Sequence, residues 1–116
     1  MYTVIYTRIA ENDLREIYEY IAFELRESIV AQRQVNRIID AIAGLDHMPE
    51  RFKLYDSEPW RSKGLRVMPV NKYLVFYVPS AIYSDDMGTV TIIRIIYGGR
   101  DIDTQLNETD AEFFEA

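Results

Sequence analysis

Residues 10–25 read AENDLREIYEYIAFEL, and the spacing within this stretch decides the fold. Ala10, Leu14, Ile17, Ile21 and Leu25 recur at steps of four, three, four and four. A helix gathers them into one apolar stripe and leaves Glu11, Arg15, Glu19 and Arg26 in water. Thr7, just before the pattern, carries a hydroxyl suited to cap the first turn. Ser28 then interrupts the period as a candidate N-cap, after which Ala31, Val35, Ile38, Ile42 and Leu45 repeat at helical steps, with Ile39 widening the stripe. Pro49 stops further helix, and the short link folds the two helices into an antiparallel hairpin. Two apolar stripes on one hairpin need a common lid.

The rest of the chain supplies it. YTVIYT at 2–7 is β-branched and aromatic, as are GLRVMPV at 64–70, KYLVFYV at 72–78 and TVTIIRIIY at 89–97, and each reads as a strand. A tight turn at Asn71 joins two of them. PSAIYSDDMG at 79–88, with Pro79, Asp85, Asp86 and Gly88, reads as a longer exposed loop. The order β-α-α-β-β-β predicts a two-layer α+β fold, an N-terminal strand and helical hairpin followed by a three-stranded antiparallel sheet. The irregular stretch 50–63 holds Trp60, which reads as a packing anchor. Residues 1–116 are read as a single domain in which 102–116 form an acidic C-terminal tail with a helical turn from Asp103.

Composition narrows the chemistry. The 116 residues contain no cysteine and one histidine, His47, so thiolate metal sites and disulfides are excluded and no histidine cluster can form. His47, near the end of the second helical pattern, is read as complementing the helix dipole. No cofactor is implied. No segment approaches the ~20 apolar residues of a membrane span, and the N-terminus lacks a signal-peptide pattern, which predicts a cytoplasmic protein without membrane contact. Of 19 acids, four lie in 107–116, where no base occurs, so the remaining body is nearly charge-balanced against its 13 bases. A chain gripping nucleic acid unaided carries a basic excess, and here only Arg51, Lys53, Arg61, Lys63, Arg66 and Lys72 suggest a modest local patch.

The ordered set of A..DL..I..YI at 10–21, the second helix ending at Pro49, GLR at 64–66, NKYLVFYV at 71–78 and RIIYGGRD at 94–101 resembles the RelE/ParE superfamily of toxins from bacterial type II toxin-antitoxin modules. Two activities follow from that resemblance. The RelE-like branch implies a ribosome-dependent mRNA endoribonuclease, which needs a base, a cation for the developing phosphorane charge and an acid for the leaving oxygen. RelE-like members place an arginine after the first tyrosine of the third strand, where this chain has Leu74. They also place a tyrosine a few residues past the arginine matched by Arg100, where it has Leu106. The ParE-like branch fits better and implies a toxin that binds and poisons DNA gyrase and is neutralised by a cognate antitoxin. A third reading is a degenerate, non-toxic member that keeps only antitoxin binding.

Candidate residues follow from the same comparison. Arg66, Tyr97 and Arg100 are the catalytic candidates in the RNase alternative, with ribosome and mRNA as partners. Arg66, Arg94, Arg100 and Asp101 are the gyrase-contact candidates. Strand alternation places Arg66 and Arg94 on the solvent side, beside each other on neighbouring strands as a small cationic spot. The structural alternative has Gly98 and Gly99 freeing the backbone while Arg100 and Asp101 fasten the terminal segment. Leu14, Tyr18, Ile21 and Leu25 are the antitoxin-contact candidates on the hairpin.

Overall fold

The computed structural model describes residues 1–82, 87–99 and 101–109. It has the expected element order: β1 (Tyr2–Tyr6), α1 (Arg8–Glu19), α2 (Ser28–Ala43), β2 (Arg66–Val70), β3 (Tyr73–Ile82), β4 (Met87–Tyr97) and a short α3 (Ile102–Asn107). Thr7 caps α1, its Oγ1 accepting the Ala10 amide at 3.0 Å and donating to the Ile93 carbonyl at 3.1 Å, so one hydroxyl starts the helix and ties it to β4. Ser28 is not the cap of α2. It is the first helical residue, and Glu27 precedes it without a side-chain bond.

β2, β3 and β4 form the expected antiparallel meander, and β1 joins it parallel to β4, giving a four-stranded sheet in the order β1-β4-β3-β2. Gly88 permits the β1 contact, since a Cβ there would lie 2.6 Å from the Tyr2 ring and 2.7 Å from the Ser80 carbonyl. The loop expected at 79–88 is mostly strand. Pro79, Ser80, Ala81 and Ile82 pair with Val90, Thr89, Gly88 and Met87, while residues 83–86 lie outside the described set. Pro79 is tolerated because β2 pairing ends at Tyr77, leaving its strand an edge on that side.

Both faces of the sheet are covered. Met68, Val75, Tyr77, Val90, Ile92 and Ile95 pack under the hairpin against Ala10, Ile38, Ile42 and Leu45. On the opposite face Val67, Phe76, Ile93 and Ile96 meet Trp60, Leu65 and Leu106, so the irregular stretch and α3 serve as a second cover. Two buried faces explain why the strands read as continuous apolar runs rather than alternating ones. Trp60 is the anchor its sequence position suggested, being 5% exposed.

Two irregularities shape the rest of the molecule. A π-helical turn, Tyr20–Glu24, ends the first helix and rotates the apolar stripe. Ile21 and Ala22 are buried against Ala31, while Leu25, the last member of the stripe, is 52% exposed. In β4 the register slips, with Phe76 opposite Arg94 but Tyr77 opposite Ile92, so Ile93 is an extra residue in a β-bulge. Ile39 does not widen the core stripe of α2 and is 40% exposed.

The buried phenols give one measurable signature. Tyr77 donates to the Pro49 carbonyl at 2.6 Å, and burial pushes its pKa to about 12. Tyr55 packs edge-on against Phe76 and donates to Asp103. Burial first, then the neighbouring carboxylate, raises its pKa to about 12 as well. A phenol held above its unfolded value of 10.0 contributes stability that is complete below pH 10 and lost as pH climbs toward 12. In a spectrophotometric titration these two rings are expected to stay un-ionised at pH 11 until the chain unfolds. Phenylalanine at both positions removes the late-titrating pair.

Candidate functional site

Strand β1 pairs with β4 only from Gly88 to Ile92, the Thr7 amide closing the ladder on the Ile92 carbonyl at 3.1 Å. Beyond that point the chain has turned into α1, and no described strand covers this edge of β4. A groove of about 1030 Å³ opens there. Ile17, Tyr20, Ile21 and Leu25 form its helical wall, with Val30 and Gln34 from α2. Ile95, Ile96 and Tyr97 form the strand wall, and Lys72 and Tyr73 close the end at the Asn71 turn. Asn71 takes a positive φ of 55° to make that turn, and its amide donates to Gln34 Oε1 at 3.2 Å. The wall is mainly apolar, and Gln34 Nε2 is buried without a hydrogen-bond partner.

Two of the four hairpin candidates, Ile21 and Leu25, line this groove. Leu14 packs half-buried against the main core, and Tyr18 faces away, lining a shallower depression with Ile29 and Arg33. Ile17, Tyr20 and Val30 were not among the antitoxin-contact candidates. Ile17 and Tyr20 are i and i+3 on one helical face, the Tyr20 amide still bonding to the Glu16 carbonyl, so both fall on the groove side.

The expected exposure of Arg94 is overturned. Its side chain is 13% exposed and pairs with Asp13, 8% exposed, Nε donating to Oδ2 at 2.8 Å and Nη2 to Oδ1 at 3.1 Å. Asp13 Oδ2 also accepts the Ile95 amide at 2.8 Å, the backbone group left open where β1 ends. Arg94 Nη1 then reaches the Gln105 carbonyl at 3.0 Å and Thr109 Oγ1 at 3.2 Å. One guanidinium thus links α1, β4 and the end of α3 beside the groove. Burial pushes the Asp13 carboxyl above its ordinary 3.8, against the opposing pull of Arg94 and the Ile95 amide. The bulge is the physical reason: an extra residue at Ile93 re-aims Arg94, so simple alternation fails.

Arg66 and Arg94 do not form a cationic spot either. Their strands are separated by β3, and Arg66 donates to the Glu50 and Phe52 carbonyls at 3.1 and 2.7 Å. Arg51 in the same basic stretch donates to the His47 and Gly44 carbonyls at 2.5 and 3.3 Å, so the local patch is partly spent on holding the loop after α2. His47 lies past the end of α2 itself, as the C-cap of the 3-10 turn Gly44–Asp46 that continues the helix. It pairs with Asp46 at 2.6 Å.

Tyr97 is 42% exposed and stacks edge-on against Tyr73, ring centres 5.7 Å apart. Arg66 lies opposite Tyr77, itself opposite Ile92, so Tyr97 is five residues further along β4. At ~3.3 Å per residue that is roughly 15 Å along the strands, with two strand spacings across. Asp101 caps α3, accepting the Thr104 amide at 3.4 Å and its hydroxyl at 2.7 Å, and these bonds hold its pKa below the usual value. These bonds are local to α3, within three residues of Asp101. Arg100 lies outside the described residues. Leu74 packs against the second core and Leu106 is fully buried in it.

Among the described residues no helix is long and apolar enough to cross a membrane. No curated protein sequence matches the chain. Among solved structures, the fold is similar to that of a chromosomal ParDE toxin-antitoxin system from P. aeruginosa. That likeness has a TM-score of 0.64 and 21% identity, covering 84% of this chain and 96% of the other. It is also similar to a YoeB/ParE toxin from Agrobacterium tumefaciens, with a TM-score of 0.56 and 13% identity over 82% and 97% of the two chains. These likenesses establish the fold. The model of the ParE toxin of the type II toxin-antitoxin system parDE matches residues 4–102, from the first strand through the glycine pair that ends the last. Matched over most of its length, the chain belongs to the ParE toxin family of type II toxin-antitoxin systems.

Proposed function

We propose that the protein arrests growth by binding and poisoning DNA gyrase, and that a cognate antitoxin neutralises it by laying an apolar segment into the groove between the hairpin and β4. The observation that supports binding over catalysis is the dispersal of the groups that phosphodiester cleavage needs. Arg66 is committed to two backbone carbonyls, Tyr97 stands at the far end of the sheet, and Leu74 and Leu106 are packing residues. A ribosome-dependent endoribonuclease requires acid, base and cation within reach of one phosphate. For target contact this reading retains Arg66, Arg100 and Asp101, while Arg94 becomes an anchor.

The groove suits an antitoxin segment that orders on binding, since its wall is mainly apolar and, among the described residues, no strand covers the adjacent edge of β4. The likeness in fold to a chromosomal ParDE toxin-antitoxin system from P. aeruginosa supports such a partner here. Purified gyrase incubated with the protein is expected to lose supercoiling activity and to accumulate cleaved DNA. Cuts within ribosome-bound messages in a translating extract would instead establish the RNase alternative. Activity in neither assay, with normal growth on induction, would mark the chain as a non-toxic antitoxin-binding member.

A further inference from the structure

Among the described residues, the one buried side-chain nitrogen or oxygen without a hydrogen-bond partner is Gln34 Nε2, and Gln34 lines the groove. The other end of the same amide is engaged, Oε1 accepting from Asn71 Nδ2 at 3.2 Å. A shielded, unpaired amide nitrogen is a cost that the fold itself does not offset. Leucine at this position would fill the wall without that cost. Gln34 as a whole is half-buried, so rotation about its last side-chain torsions turns the N–H2 group into the groove while α2 stays in place. Lys72, exposed, follows Asn71 in the turn that closes this end and adds an ammonium. Both groups can only donate.

We infer that Gln34 is a specificity-determining residue of the groove, its Nε2 donating to an aspartate or glutamate side chain of the antitoxin segment while Lys72 supplies the balancing charge. Two donors side by side, one of them charged, select a carboxylate over a neutral carbonyl. The carboxylates that line the groove itself lie on α1: Asp13 is paired with Arg94, and Glu16 accepts from Asn12 Nδ2 at 3.0 Å. Like-charge repulsion from Glu16 therefore directs an incoming acid to the Asn71 end. The segment then reads as apolar side chains against Ile17, Ile21 and Leu25 with an acid at the turn. This inference rests on the antitoxin reading above and adds the chemistry of one contact.

The probe is the product of the reading frame adjacent to the toxin's own, purified and titrated calorimetrically against the full chain. Gln34→Leu is expected to weaken binding on the order of ten- to a hundredfold, as loss of a donor to a charged acceptor does, and to leave the urea midpoint of the free toxin no lower. Gln34→Glu keeps the acceptor for Asn71, loses the donor and should weaken binding at least as much. Lys72→Gln should weaken it severalfold at low salt, the difference shrinking as salt rises. Alanine at one acid of the antitoxin should weaken binding to the native chain by a similar factor and to the Gln34→Leu chain hardly at all. Native affinity in Gln34→Leu, with binding weakened by Leu25→Glu, overturns the inference and keeps the groove as the antitoxin site. Native affinity in both variants, or no binding to the native chain, removes the antitoxin reading and the inference with it. A loss of stability in Gln34→Leu that accompanies the loss of affinity assigns the amide to the fold, and a loss coupled to no acid overturns the carboxylate contact.

Discussion

Asp13→Ala is expected to cost about 3–5 kcal/mol, because it strands the Arg94 guanidinium in a nearly closed site and orphans the Ile95 amide where β4 loses its strand partner. Domains of this size are stable by about 5–15 kcal/mol, so the loss is a large share of the total. In urea, with a slope of about 1–3 kcal/mol per molar, the midpoint falls by at least about 1 M. Asp13→Asn should cost less, since its carbonyl still accepts from Ile95. The informative companion is Arg94→Met with Asp13→Leu, in which both charges leave together. If the penalty is that of an uncompensated buried charge, the pair recovers much of the loss. Additive losses in the double variant would mean that the guanidinium acts through its hold on Gln105 and Thr109 alone.

Leu25→Glu is expected to separate toxicity from neutralisation. Leu25 is half-exposed at the groove mouth, so a carboxylate there leaves stability within about 0.5 kcal/mol of the native value. Once an antitoxin covers it, however, the charge is desolvated against Tyr20 and Ile21. A loss of about 2–4 kcal/mol, or roughly 30- to 1,000-fold in affinity, follows. Cells producing the variant with its antitoxin should stop growing, while the same antitoxin rescues the native toxin, and titration calorimetry gives the affinity directly. Ile29→Glu is the control. Ile29 is more exposed, at 72%, but lies with Tyr18 on the shallower outer depression. An affinity lowered by Ile29→Glu and untouched by Leu25→Glu would move the antitoxin to the outside of the hairpin.

Much of the scaffold was legible because it rests on local periodicity. Thr7 caps α1, Ala31, Val35, Ile38, Ile42 and Leu45 face inward, Trp60 anchors its stretch, and Asn71 makes the tight turn. Each follows from residue type and spacing over a few positions. The half of the groove formed by Ile21 and Leu25 was visible for the same reason. Tyr20 was not, since a tyrosine three residues after Ile17 reads as readily as a solvent-facing residue, and only the open edge of β4 makes its face a groove wall. The strand at 79–82 was hidden by Pro79, which breaks a strand only where its missing N–H has a neighbour to serve, and here the neighbouring β2 has already ended.

Amino-acid order alone therefore determined most of the elements, their sequence and the main core stripe of the two helices, all properties of short windows along the chain. Tertiary structure alone decided what the arginines do. Arg94 and Asp13 are 81 residues apart, and only the bulge at Ile93 and the early end of β1 bring a carboxylate to an open amide and a guanidinium to both. A charge in a strand is exposed by default because burying it is costly, and that default fails wherever a distant partner and a change of register supply the compensation.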